Sequence, residues 1–154
     1  MRLNVFRNGP AILPAMAFCA ALATAPLAPQ PASAQQTPAS SDQIWQSFKG
    51  DVFGDQALAE DDGLVAIEAP KRAEDAALVP ITVSIDAARA PQGIKALTLI
   101  VDVNPSPVAA TFTIGRDAGI TRLATRLRVN DYSYLRAIAE TPDGKLHMSK
   151  VFIK

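Results

Sequence analysis

Arg122, Arg126 and Arg128 share one parity along the chain, so in an extended strand they project from one face. A row of guanidinium groups can hold an anion such as a sulfonate, or an acidic protein surface, because each planar fork offers paired N–H donors. Arg136 is a candidate extension of the row. The competing reading of the same residues is a solvated outer face, paired across strands with carboxylates such as Glu140. His147 is the single histidine. As a general base it would need a nucleophile and an orienting carboxylate, and no Gly-x-Ser-x-Gly elbow accompanies it. It reads as a surface or half-buried strand residue. Asp61-Asp62 and Glu74-Asp75 are adjacent acidic pairs without the alternating spacing of a calcium loop, and they read as solvated turns. Cys19 is the only cysteine. With one histidine beside it, the roughly four ligands of a zinc site are not assembled. No glycine-rich phosphate cradle precedes a helix. These residues point to binding rather than catalysis, with no cofactor and no metal.

The elements that would carry them are mostly strands. In Val79-Pro80-Ile81-Thr82-Val83-Ser84-Ile85-Asp86 the odd positions are apolar and β-branched, which predicts a strand with one buried face. Pro80 cannot donate to a ladder, so that strand lies at an edge or begins there. Leu97, Leu99, Val101 and Val103 repeat the pattern, as do Val108, Ala110, Phe112 and Ile114. Leu123, Leu127 and Val129 form the buried side opposite the arginines. Residues 132–140 and 146–153 read as the last two strands, with Thr141-Pro142-Asp143-Gly144 as the hairpin turn between them. Leu146 and Met148 are even while Val151 and Ile153 are odd, so a bulge near Ser149 is expected. With residues 64–69, about seven short strands at sandwich-like spacing result. The expected fold is all-β, an immunoglobulin-like sandwich with Tyr132 or Tyr134 as a tyrosine-corner candidate. Before it, Ser40 and Gln43 suggest a capping box. Ile44, Trp45 and Phe48 share a helical face, and Gly50 suits a stop, so one short helix is expected over 41–49.

The N-terminus reads as a leader. Arg2 and Arg7 form a basic start, residues 11–27 are small and apolar, and Ala32-Ser33-Ala34 is an A-x-A cleavage site. The expected organisation is a cleavable signal peptide over 1–34, a linker over 35–40 and a domain over 41–154, exported to the periplasm. Pro14 and Pro26 interrupt the apolar run, which argues against a membrane span. Cys19 leaves with the leader. The 15 basic and 15 acidic residues of the whole chain balance, which argues against nucleic acid as a partner.

Four strings together carry a resemblance. They are Ala69-Pro70-Lys71-Arg72-Ala73-Glu74-Asp75-Ala76-Ala77-Leu78-Val79-Pro80, Val101-Asp102-Val103-Asn104-Pro105-Ser106-Pro107, Thr125-Arg126-Leu127-Arg128-Val129-Asn130 and Tyr134-Leu135-Arg136-Ala137-Ile138-Ala139-Glu140. In this order, after a helix with Trp45 and Phe53, the set resembles the SoxY family, in particular the SoxYZ-like carriers associated with quinoprotein dehydrogenases. The resemblance spans residues 45–154. It implies a SoxY-like domain paired with a SoxZ-like domain in oxidation of thiosulfate-type sulfur compounds, or working beside a quinoprotein dehydrogenase or periplasmic cytochromes. In SoxY proteins a mobile C-terminal arm ends in a Gly-Gly-Cys motif whose cysteine carries sulfur intermediates. A thiolate is the nucleophile such a role requires, and glycines let an arm reach deep sites. This sequence ends at Val151-Phe152-Ile153-Lys154, where the arm would begin, so no position matches the carrier cysteine. The expectation is a chain truncated before the arm; the alternative is an immunoglobulin-like docking module without a covalent carrier role.

Overall fold

A computed structural model describes residues 35–154; the expected leader over 1–34, with Cys19, lies outside the described residues. Helix α1 (Pro38–Phe53) is followed by β1 (Leu58–Glu60), β2 (Val65–Glu68), β3 (Val79–Ile85), β4 (Ala96–Val101), β5 (Val108–Thr113), β6 (Arg122–Leu127), β7 (Ser133–Glu140) and β8 (Leu146–Ile153). The strands form two sheets, ordered β1-β8-β7-β4-β5 and β2-β3-β6. This is the expected immunoglobulin-like sandwich with one strand more. The extra strand, β1, has three residues and pairs in parallel with β8, too short for a period of two to register.

The main core lies between the sheets. Leu97, Leu99 and Val101 of β4 and Leu135, Ala137 and Ala139 of β7 meet Val79, Ile81, Val83 and Ile85 of β3. Each fully buried Leu, Ile or Val contributes about 1.5–3 kcal/mol relative to exposure. The Thr141–Gly144 hairpin forms as its residues require: Gly144 sits at φ +81°, and Thr141 N–H donates to the Lys145 carbonyl at 3.0 Å. Pro80 does not mark an edge strand, because β3 is the central strand of its sheet. Pairing with β2 ends at Thr82, however, so Pro80 lies past β2 and deprives that strand of no donor.

The larger sheet is buried on its other face as well. Ile100, Ile138, Leu146 and Met148 point away from the sandwich and pack beneath Trp45 of α1. This second cover removes the need for the bulge expected near Ser149. The β7–β8 register runs unbroken from Ser133↔Ile153 to Glu140↔Leu146. Leu146 and Met148 face the helix, while Val151 and Ile153 face the other sheet, so both parities are apolar. The irregularity lies instead between Leu99 and Ile100, where Ala109 of β5 is the extra residue.

Helix α1 starts at Pro38, not Ser41, and takes in half of the expected linker. Thr37 is the cap. Its Oγ1 accepts the Ser40 N–H at 3.2 Å, and Ser40 Oγ accepts the Thr37 N–H at 2.8 Å. Ser40 is therefore the far partner of the capping box and not its start with Gln43. Pro38 suits the first helical position, where a missing N–H removes no bond. The helix passes Gly50 and stops at Gly54, at φ +62°. Packing of the Phe53 ring against Trp45, 6.2 Å between centroids, holds the last turn in place.

Candidate functional site

The arginine row is formed on the edge strand β6. Arg122 and Arg126 are exposed on the outer face of the smaller sheet, opposite Ser84 and Pro80 of β3. Neither makes an ion pair among the described residues. Arg128, just past the strand, is held differently. Its Nε donates to Asn130 Oδ1 at 2.6 Å. Its carbonyl accepts from Asn104 Nδ2 at 2.8 Å, and Asn104 Oδ1 accepts the Asn130 N–H at 3.0 Å. Glu140 does not neutralise the row: it belongs to the other sheet and binds Lys95 at 2.6 Å. Arg122 and Arg126 are four residues apart, which at the strand rise is roughly 13 Å. That separation is too wide for one small anion to bridge and suits an extended acidic surface.

Arg136 does not extend the row. It has the parity of Ile138, which points at α1, and it is fully buried. Its Nε donates to Asp102 Oδ1 at 2.8 Å and its Nη2 to Asp102 Oδ2 at 2.8 Å, a bidentate pair. Nη2 also donates to Asp42 Oδ1 at 2.7 Å. The Ser41 hydroxyl donates to Asp102 Oδ2 at 2.8 Å and accepts the Tyr134 N–H at 2.9 Å. The guanidinium carbon lies 4.8 Å from the Trp45 ring centre and 5.2 Å from that of Tyr134. Burial works against the charged guanidinium, but the hydrogen bonds to Asp102 and Asp42 outweigh it and raise its pKa above the usual value. Burial also pushes the Asp42 carboxyl up, yet the bonds from Arg136 and Lys150 leave it below the usual carboxylate range. Every described buried side-chain polar atom has a partner. The cluster is a polar bolt joining α1, β4 and β7. It also rules out the tyrosine corner at Tyr134, whose ring lies against Arg136 and Phe152 on the helix side. Among the described residues, Tyr132 Oη accepts from Gln35 Nε2 alone, at 3.5 Å.

His147 is half-buried on β8, and its Nδ1 bonds Asp62 Oδ2. Among the described residues, no serine or threonine hydroxyl is one of its hydrogen-bond partners. The pair ties β8 to the turn before β2, which is a structural task. Burial raises the Asp62 pKa, but the Leu64 N–H and His147 lower it further, to a net position below the usual value. A carboxyl lowered by folding stabilises the fold above its unfolded pKa, and that contribution is lost as the pH falls through the lowered folded value. The melting-temperature gap between wild type and Asp62→Asn is therefore expected to narrow as the pH falls below the ordinary aspartate value. A gap that widens on acidification contradicts this assignment. Among the described residues, no three His, Cys, Asp or Glu side chains converge as metal ligands.

The buried cluster escaped the sequence reading, although a signal for it exists. Arg136 sits in Tyr-Leu-Arg-Ala-Ile-Ala, a run apolar on both parities, and an arginine there has no solvated face to occupy.

The family model for sulfur oxidation protein SoxY matches residues 49–154. The structure of the sulfur carrier protein SoxY from Chlorobium limicola f thiosulfatophilum superposes with a TM-score of 0.61 at 24% identity, covering 75% of this chain and 95% of that one. Superoxide reductase (neelaredoxin) from Ignicoccus hospitalis superposes with a TM-score of 0.52 at 16% identity, covering 63% of this chain and 94% of that one. At these identities the likeness concerns the fold alone. No curated protein sequence matches the chain.

Proposed function

Because the chain belongs to the SoxY family of sulfur oxidation proteins, we propose that it is the scaffold domain of a sulfur carrier, working in the periplasm and paired with a SoxZ-like domain. The observation that carries this reading is the family match, which takes in every strand of both sheets. The similarly folded protein from Chlorobium limicola is itself a sulfur carrier. The signal-like residues 1–34 support export. The resemblance of residues 69–80 to quinoprotein-associated carriers supports a quinoprotein dehydrogenase as redox partner, with periplasmic cytochromes as the alternative.

Residues 35–154 contain no cysteine. In this reading the sulfur-bearing thiol lies outside the described domain, which contributes a rigid mount and a docking surface rather than catalysis. Arg122, Arg126 and Arg128 are the partner contacts, since the row matches the dimensions of an acidic face better than those of a small anion. The clamp of Asn104 and Asn130 on Arg128 reduces the freedom that guanidinium loses on binding.

Titration of the mature chain with its SoxZ-like subunit tests this. A one-to-one complex is expected. Arg126→Glu with Arg128→Glu is expected to weaken it about tenfold or more, mostly through slower association, and to reduce its salt dependence. Unchanged affinity in the double variant removes the arginines from the interface. The second reading, a docking module with no covalent role, is favoured by the thiol-free domain. The intact mass of the full-length product isolated from thiosulfate-grown cells separates the two. A sulfur adduct supports the carrier, and retained pairing without any adduct supports the docking module.

A further inference from the structure

The strands at the sheet margins are unequally protected. β1 has three residues and carries Glu60, β2 has four and carries Glu68, and β6 presents Arg122 and Arg126. Shortness and charge are the devices that keep an edge from pairing with another chain. β5 has neither. Its six residues, Val-Ala-Ala-Thr-Phe-Thr, include no charge and no proline. The bulge at Ala109 blunts its start but leaves 110–113 in regular register with β4. Ile114 donates its N–H to the Lys95 carbonyl at 2.9 Å. By the alternation of an antiparallel ladder, Phe112 and Ala110 also bond β4, and the N–H and C=O groups of Thr111 and Thr113 face outward.

The sandwich is also incompletely closed on this side. β2 packs across β7 and β8, which sets β6, at the opposite margin of its sheet, on the side of β5. Phe112 and Ile114 from one margin and Leu123 and Leu127 from the other pack against the core but stay half-buried. The inward residues of β3, β4 and β7 are sealed.

We propose that an extended strand of a second, different polypeptide adds to β5 and closes the gap between β5 and β6. Its backbone pairs with Thr111 and Thr113, and its alternate apolar side chains cover Phe112 and Leu123. Charge selects a foreign chain over a second copy. Arg116 in the β5–β6 connection, and Arg122 and Arg126 on the outer face of the β6 margin, lie beside this opening without an ion pair among the described residues. Twofold β5–β5 pairing brings two such arginine rows together, a repulsive arrangement, whereas acidic residues beside an incoming strand neutralise them. This inference rests on the pairing reading above, under which the SoxZ-like subunit supplies the strand.

The test titrates wild type, Thr111→Pro and Thr113→Pro with the purified SoxZ-like subunit, after thermal unfolding has confirmed that each variant folds. Each proline removes one outward N–H and leaves the donors of the β4 ladder in place. Dissociation constants are expected to rise about tenfold or more in both, and the Thr111 and Thr113 amides to exchange hydrogen more slowly in the wild-type complex than in the isolated chain. Undiminished affinity in the folded variants, or no slowing at those amides in a complex that does form, overturns the edge assignment and leaves the pairing reading intact. Absence of any wild-type complex overturns both. A homodimer abolished by Thr113→Pro overturns the choice of a foreign strand.

Discussion

Arg136→Leu is expected to destabilise the domain by about 3–5 kcal/mol, as breaking a buried ion pair from one side does. The loss comes less from the missing attraction than from what stays behind. Asp102 is 1% exposed and keeps only the Ser41 hydroxyl once the guanidinium is gone. Asp42 retains Lys150, at 3.3 Å, and suffers less. A fall in melting temperature on the order of 15 °C follows for a domain of this size, measurable by calorimetry or urea unfolding. Replacing both partners, Arg136→Leu with Asp102→Leu, is expected to recover much of the loss, because an apolar pair leaves no orphaned charge. The Ser41 hydroxyl still accepts the Tyr134 N–H in that variant. A single variant as stable as wild type, or a double variant worse than either single one, contradicts the account.

Trp45→Ala is expected to cost a similar amount, about 3–5 kcal/mol, for a different reason. Trp45 is 1% exposed, and its ring covers Ile100, Ile138, Leu146 and Met148. Phe48 meets it edge-on at 5.4 Å between centroids, and Phe53 lies on it as well. Removing the indole opens a cavity that these neighbours cannot collapse to fill, and it takes away the aromatic face under Arg136. Denaturant unfolding measures the loss, and an apolar dye reports the uncovered sheet face. Trp45→Phe is expected to restore part of the stability. Because Trp45 and Arg136 touch, the two losses should not add, and a cycle of the single and double variants gives their coupling. Strict additivity would show that helix and ion pair act independently.

The strands were legible where one face is wet and the other dry. In β3 the sequence alternation and the observed burial coincide at Val79, Ile81, Val83 and Ile85. Legibility failed where both faces are dry. β8 is covered by the second sheet at one end and by α1 at the other, so its two parities looked like a slip in register. The same double burial hid Arg136, which seemed to belong with the exposed arginines. The helix was found but its ends were not, because Thr37-Pro38 and Gly54 lie outside the window that Trp45 and Phe48 define. The strings that carry the resemblance are joined in the fold. Its second string meets its third through Asn104, which clamps Arg128 and Asn130, and its second meets its fourth through Asp102 and Arg136. Strings far apart in the chain thus meet in single contacts of the fold.

The unequal margins of the two sheets set the valence of the molecule. With β1 and β2 short and β6 charged, a strand that joins at β5 finds no second open margin among the described residues from which a further chain can continue. Assembly through backbone pairing therefore terminates after one step. Under the strand addition proposed above, the described domain is a stopper rather than a link, suited to a pair of defined stoichiometry and not to a filament.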